Sequence, residues 1–129
     1  MDELWQATLN AASPSGRREF GCYIYYDNGS YSCVDVEPGP INTSCSKNSS
    51  IKFGKKDPKM CAIFHTHTTL EYCSSTKRRS TGPSGPDEAM SYASEMPCFV
   101  YDYLGGEIMG TQSKTALADV YTYGIERRQ

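Results

Sequence analysis

The chain has 129 residues with 13 basic against 15 acidic side chains, so a single domain over residues 1–129 is expected, and its net charge of −2 argues against a dedicated nucleic-acid binder. No apolar run approaches the ~20 residues a membrane helix needs, and Met1-Asp2-Glu3 is acidic where a signal peptide is basic. A soluble chain with no membrane partner is therefore expected, secreted or cytoplasmic. Leu, Ile, Val and Phe together number only 19, so the ten Tyr and six Cys must supply much of the core, which points to a β-rich domain rather than a Leu-rich bundle.

Leu4, Trp5, Thr8, Leu9 and Ala12 recur at helical spacing over residues 2–12, and Pro14 and Gly16 end that helix. A strand follows over Glu19 to Tyr26. Asp27-Asn28-Gly29-Ser30 then predicts a tight hairpin, because Asn and Gly both tolerate positive φ. Its partner strand runs from Tyr31 to Val36. Residues 39–60 read as a polar loop with one short strand around Ile51–Phe53. Met60 to Thr66 is a continuous apolar run, the mark of a strand buried on both faces. Residues 68–83 are polar again. A helix is expected from Pro86 to Met96, with Ala89, Met90 and Ala93 inward and Pro97 as its stop. Cys98–Tyr103 and Glu107–Gly110, separated by Gly105-Gly106, predict a second hairpin. Residues 115–125 fit a helix or a strand. This order predicts an α/β fold, a central mixed sheet flanked by helices.

None of the six Cys forms a C-x-x-C pair, which disfavours a zinc knuckle or a thioredoxin-like site. Cys22, Cys61 and Cys98 fit buried strands as small apolar residues. A bridge among Cys33, Cys45 and Cys73 is left open.

His65 and His67 are the only two histidines, and they end the most apolar strand. At a spacing of two they point to one side of a strand, where two neutral imidazoles are ready ligands for a divalent metal. Ser84-Gly85-Pro86-Asp87 opens the second predicted helix as a capping box. Capping leaves Asp87 free to face out of the first turn as a third ligand. Glu19 stands beside the first strand, where an exposed charge is the default.

Glu19, then His65-Thr66-His67 after a buried strand, then Ser84-x-x-Asp87 opening a helix, resembles the pattern of JAMM or MPN-type (JAB-like) zinc metallopeptidases. The stretch from Arg18 to Gly29 is similar to the start of JAB-like domains in bacterial polymorphic toxins and RHS-associated proteins. Pro83 to Asp87, Phe99-Val100-Tyr101 and Gly105 to Ile108 follow in the same order. The likeness covers residues 18–110. It implies a cytidine-deaminase-like, JAB/MPN-type α/β sandwich. It further implies that His65, His67 and Asp87 hold one Zn2+ with a fourth position open for water. Glu19 would be the general base and Ser84 the oxyanion donor in hydrolysis of a peptide or isopeptide bond. A protein or peptide substrate follows, and in a toxin setting a cognate immunity protein and the effector end of a larger secreted protein. This chain departs from the pattern in two places. Sixteen residues, 68–83, separate His67 from Ser84, and Thr68 stands where the family often has Pro. Lys77-Arg78-Arg79 and the Cys73 loop are expected either to border the cleft and gate it or select substrate, or to be a solvated mobile loop.

Other chemistries fit less well. A nucleobase deaminase needs H-x-E and P-C-x-x-C, whereas this chain has His65-Thr66-His67 and Pro97-Cys98-Phe99-Val100-Tyr101. No Cys sits in a recognisable nucleophile turn. An inactive MPN-like scaffold or binding module is the main alternative, and a disulfide-stapled secreted domain with incidental histidines is the third.

Overall fold

The computed structural model describes residues 1–43, 51–53, 57–74, 78–104, 107–109 and 116–125, with the backbone alone at 78 and 107–109. Helix α1 (Asp2–Ala11) buries Trp5, Thr8 and Leu9 on the expected stripe. Strands β1 (Gly21–Asp27) and β2 (Ser30–Asp35) form the first hairpin. Asn28 and Gly29 take φ of 51° and 80°, the left-handed pair that a two-residue turn of matching twist requires.

Strand β3 (Met60–Thr66) is buried at every residue, as its apolar run predicts. It is flanked by β1 antiparallel and by β5 (Cys98–Tyr103) parallel. Strand β7 (Ala118–Tyr123) closes the far side, giving the five-stranded mixed order β2-β1-β3-β5-β7. The α/β expectation holds. Period-two alternation then sorts the core into two clusters. Trp5 and Leu9 of α1 pack with Leu70, Cys73 and Tyr103 on one face. Trp5 stacks on Tyr101 at 5.0 Å and meets Tyr103 edge-on at 5.4 Å. Ile63, Val100, Cys98, Tyr23 and Tyr123 form the other cluster, capped by Met96 and by Met90 of helix α2 (Gly85–Ser94).

Several expectations change. Helix α2 stops at Glu95, in the left-handed region at φ 57°, because Met96 precedes Pro97 and is pushed out of helical backbone. Its inward residue is Ser91, fully buried, while Ala89 and Ala93 are exposed. The helix packs inward through Asp87, Met90 and Ser91. Ser91 Oγ donates to Met96 O at 2.6 Å and accepts Ile125 N at 3.0 Å, so polar bonds replace apolar contact there.

The second hairpin does not form. Strand β6 (Glu107–Met109) pairs instead with β4 (Arg78–Ser80), and β5 takes β7 across six registered pairs against the three that 107–109 offers. Residues 51–53 are not a strand, although Phe53 packs edge-on to Tyr23 at 5.3 Å. Within the stretch expected to be a polar connection, Thr68, Thr69, Leu70 and Cys73 are buried.

Cys22 is not a free buried thiol but is bonded to Cys33 across the first hairpin. Cys73 is disulfide-bonded too, Cys61 and Cys98 are free, and Cys45 lies outside the described residues. Closing a loop at a separation of 11 residues stabilises by about 3 kcal/mol in the chain-entropy account. The double substitution Cys22→Ala, Cys33→Ala should therefore lower unfolding free energy by about 2–3 kcal/mol in urea titration under oxidising conditions.

Candidate metal centre

The site is built on the sheet face that α2 covers. Gly21 of β1 stands opposite His65 of β3. A Cβ at Gly21 would lie 2.7 Å from Phe64 O, so only glycine permits this approach of the two strands. His65 and His67 are 1% and 2% exposed, and their ring centroids are 5.2 Å apart on the same side. The first turn of α2 brings the acid. Ser84 Oγ accepts Asp87 N at 3.2 Å, and Ser84 N donates to Asp87 Oδ2 at 2.9 Å, a complete capping box. Capping and convergence coexist, as the spacing allowed. The same Asp87 carboxylate meets His65 Nε2 at 3.1 Å through Oδ1 and His67 Nε2 at 2.9 Å through Oδ2.

The three side chains offer one ligand atom each, all within 4.8 Å of one another. Two imidazoles and a carboxylate around a tetrahedral ion, with bonds of about 2.0–2.2 Å, would stand ~3.3 Å apart along each edge. The observed 2.9 and 3.1 Å run to the two different oxygens of Asp87 and are direct hydrogen bonds, while the single ligand atoms stay within 4.8 Å of one another. A buried His65, His67 and Asp87 group that could bind a metal ion is thus present.

Glu19, for which an exposed charge was the default and a general base the role implied by the resemblance, is 4% exposed. Burial pushes its carboxyl up to about 8, with Asp87 and Asp102 adding to the rise and His67 and Arg79 opposing it. It therefore lies within electrostatic reach of the site.

His67 has a second anchor that motif reading missed. Its Nδ1 lies 2.9 Å from Asp102 Oδ2. Asp102 is fully buried on β5, and Arg79 grips both its oxygens at 2.7 and 2.8 Å. Arg79 is 7% exposed and Lys77 lies outside the described residues, so the expected basic rim of the cleft is, at Arg79, a buried counter-ion. The signal available in the sequence was an acid at the inward position of the alternation Cys98, Val100, Asp102, since a buried carboxylate requires a partner.

Burial alone would lower the His67 pKa, but hydrogen bonds to Asp102 and Asp87 and their charges outweigh it and raise it to about 9. His65 moves the other way, held down by burial, and its Nδ1 has only the Tyr123 hydroxyl at a long 3.5 Å. Burial would raise Asp87 and Asp102, yet the two histidines and Arg79 respectively hold them below the usual carboxylate range. Cys61 and Cys98 are buried, and burial raises the Cys98 thiol, the reverse of what a nucleophile needs.

Among the described residues no helix is long and apolar enough to cross a membrane. No family model matches this chain, and no curated protein or solved structure matches it.

Proposed function

We propose that this chain is a zinc-dependent metallopeptidase of JAMM type. The observation that carries the reading is the convergence of His65, His67 and Asp87, all tied by short contacts, with Glu19 buried beside them. Three protein ligands leave one position open, the arrangement of a catalytic rather than a structural centre. Zinc rather than magnesium or calcium suits a set with two imidazoles. Zinc held there supplies a Lewis acid and a water that ionises near neutral pH.

The chain's own groups do the rest. Glu19 takes a proton from the attacking water and passes it to the leaving amine. Ser84 uses its hydroxyl oxygen to accept Asp87 N, which leaves its own proton to donate to the substrate carbonyl oxygen as charge develops. The substrate class is a protein or peptide, cut at a peptide or isopeptide bond. The Cys22–Cys33 bridge and the bonded Cys73 favour an oxidising compartment, in keeping with an exported effector.

Elemental analysis of purified protein should find one zinc per chain, and the zinc-loaded protein should hydrolyse a peptide library or an isopeptide-linked substrate. His67→Ala and Asp87→Ala should each lose both zinc and hydrolysis. Zinc-loaded wild type that cuts neither substrate while capturing a stable partner would favour a scaffold instead. Ser84→Ala should lower turnover about 10²–10³-fold. The same change removes the α2 cap at a cost of about 1 kcal/mol, so thermal melts and kinetics separate the two roles.

A further inference from the structure

We propose that Asp102 and Arg79 are a positioning pair for the metal centre, and that through them Thr68 and Gly82 are part of that centre. The inference rests on the metal reading above. Asp102 receives five donors: Arg79 Nη2 at 2.7 Å and Tyr103 N at 2.7 Å on Oδ1, and Arg79 Nη1 at 2.8 Å, Gly82 N at 2.9 Å and His67 Nδ1 at 2.9 Å on Oδ2.

An ion pair that only stapled a loop would need the first four. The fifth fixes the imidazole. A carboxylate kept ionised by Arg79 can only accept, so His67 Nδ1 must carry the hydrogen and Nε2 is left for the metal. His65, by comparison, has among the described residues only the 3.5 Å hydroxyl contact on its Nδ1, and no carboxylate there.

The same pair ties together three pieces of chain. Arg79 Nη2 also donates to Thr68 O at 2.7 Å, next to His67. Asp102 is on β5. Gly82, held by its amide, lies two residues before Ser84, which caps the helix carrying Asp87. The chain between the second and third ligands is therefore clamped at both ends onto Asp102. In this way Arg79 and Gly82 set the distance between His67 and Asp87.

The test is zinc affinity of Asp102→Asn, Arg79→Met and Arg79→Lys, with circular dichroism for the fold and long-range proton–nitrogen NMR for the His67 tautomer in zinc-loaded protein. Removing an outer partner of this kind costs about 10–100-fold in metal affinity. Asp102→Asn should fall in that range with the fold kept. Its amide can donate to Nδ1, so the Nδ1–H tautomer expected of the wild type should be lost from part of the population. Arg79→Met should weaken zinc about tenfold or more, and Arg79→Lys, which keeps the charge but not the two-pronged grip, should recover part of that loss. Should Asp102→Asn fail to fold, the Met and Lys comparison decides. Variants that bind zinc within about two-fold of wild type, or an unchanged His67 tautomer in folded Asp102→Asn, would overturn the pair's role while the metal reading stands. Wild type that takes up no zinc overturns the metal reading, and this role with it.

Discussion

Glu19→Gln should lower hydrolysis about 10²–10⁴-fold, the usual worth of a positioned general base, while zinc stays bound. Glutamine keeps the shape of the side chain but cannot take a proton from water and return it to an amine. The metal should remain because His65, His67 and Asp87 form the ligand group without Glu19. A base works best with a pKa near the operating pH, and burial already moves Glu19 from 4.5 to about 8 before any cation is present. A bound dication draws that value back down, so the acid limb of the pH–rate profile in the loaded enzyme should lie below 8 and should vanish in Glu19→Gln. Zinc content by elemental analysis and peptide cleavage measured on the same sample check both halves. A variant that loses its metal would make Glu19 a ligand, and one with undiminished turnover would remove it from the chemistry.

Zinc should raise the thermal midpoint of the metal-free protein, and the rise should grow with pH. At a thousand-fold excess over the dissociation constant the linkage is worth about 4 kcal/mol, which is roughly 10 °C or more for a domain of this size. The pH dependence follows from charge balance. In the metal-free protein at pH 7, His67 with a pKa of about 9 is an imidazolium and Glu19 with a pKa of about 8 is neutral. Asp87 and Asp102 are ionised and Arg79 is charged, so the cluster is neutral. Zinc bound with His67 and Glu19 both deprotonated is neutral again, because one dication has replaced two protons. Affinity should therefore climb about 100-fold per pH unit below 8 and about ten-fold per unit between 8 and 9.

Without metal the signs run the other way. The raised His67 pKa contributes stability that is full below 6.5 and lost as pH rises through about 9. The raised Glu19 pKa likewise makes the folded state lose stability from 4.5 up to about 8. Chelated protein should thus melt progressively lower from pH 6 to 9, while the zinc-loaded protein holds. Calorimetric titration in buffers of different ionisation enthalpy should count two protons released per zinc near pH 7. Melting curves unmoved by zinc or chelator across that range would remove the metal from the proposal.

What could be read from residue order alone was local and periodic. Asn28-Gly29 specified its turn because few residues accept positive φ in succession. The apolar run at β3 specified a buried strand, and the spacing of His65 and His67 put both rings on one face, because side chains alternate along extended chain. Ser84 and Asp87 specified a helix start whose acid faced out of the first turn. Everything that depended on which distant strands meet lay beyond such patterns. The Cys22–Cys33 bridge needs the hairpin register, and the β4–β6 pairing needs the loss of β5 to β7. The burial of Arg79 against Asp102 and the depth of Glu19 arise only when distant parts of the chain pack together in the folded domain. Charge carries no period along a chain. Where a charged group ends up buried is settled by the counter-charge that three-dimensional packing delivers to it.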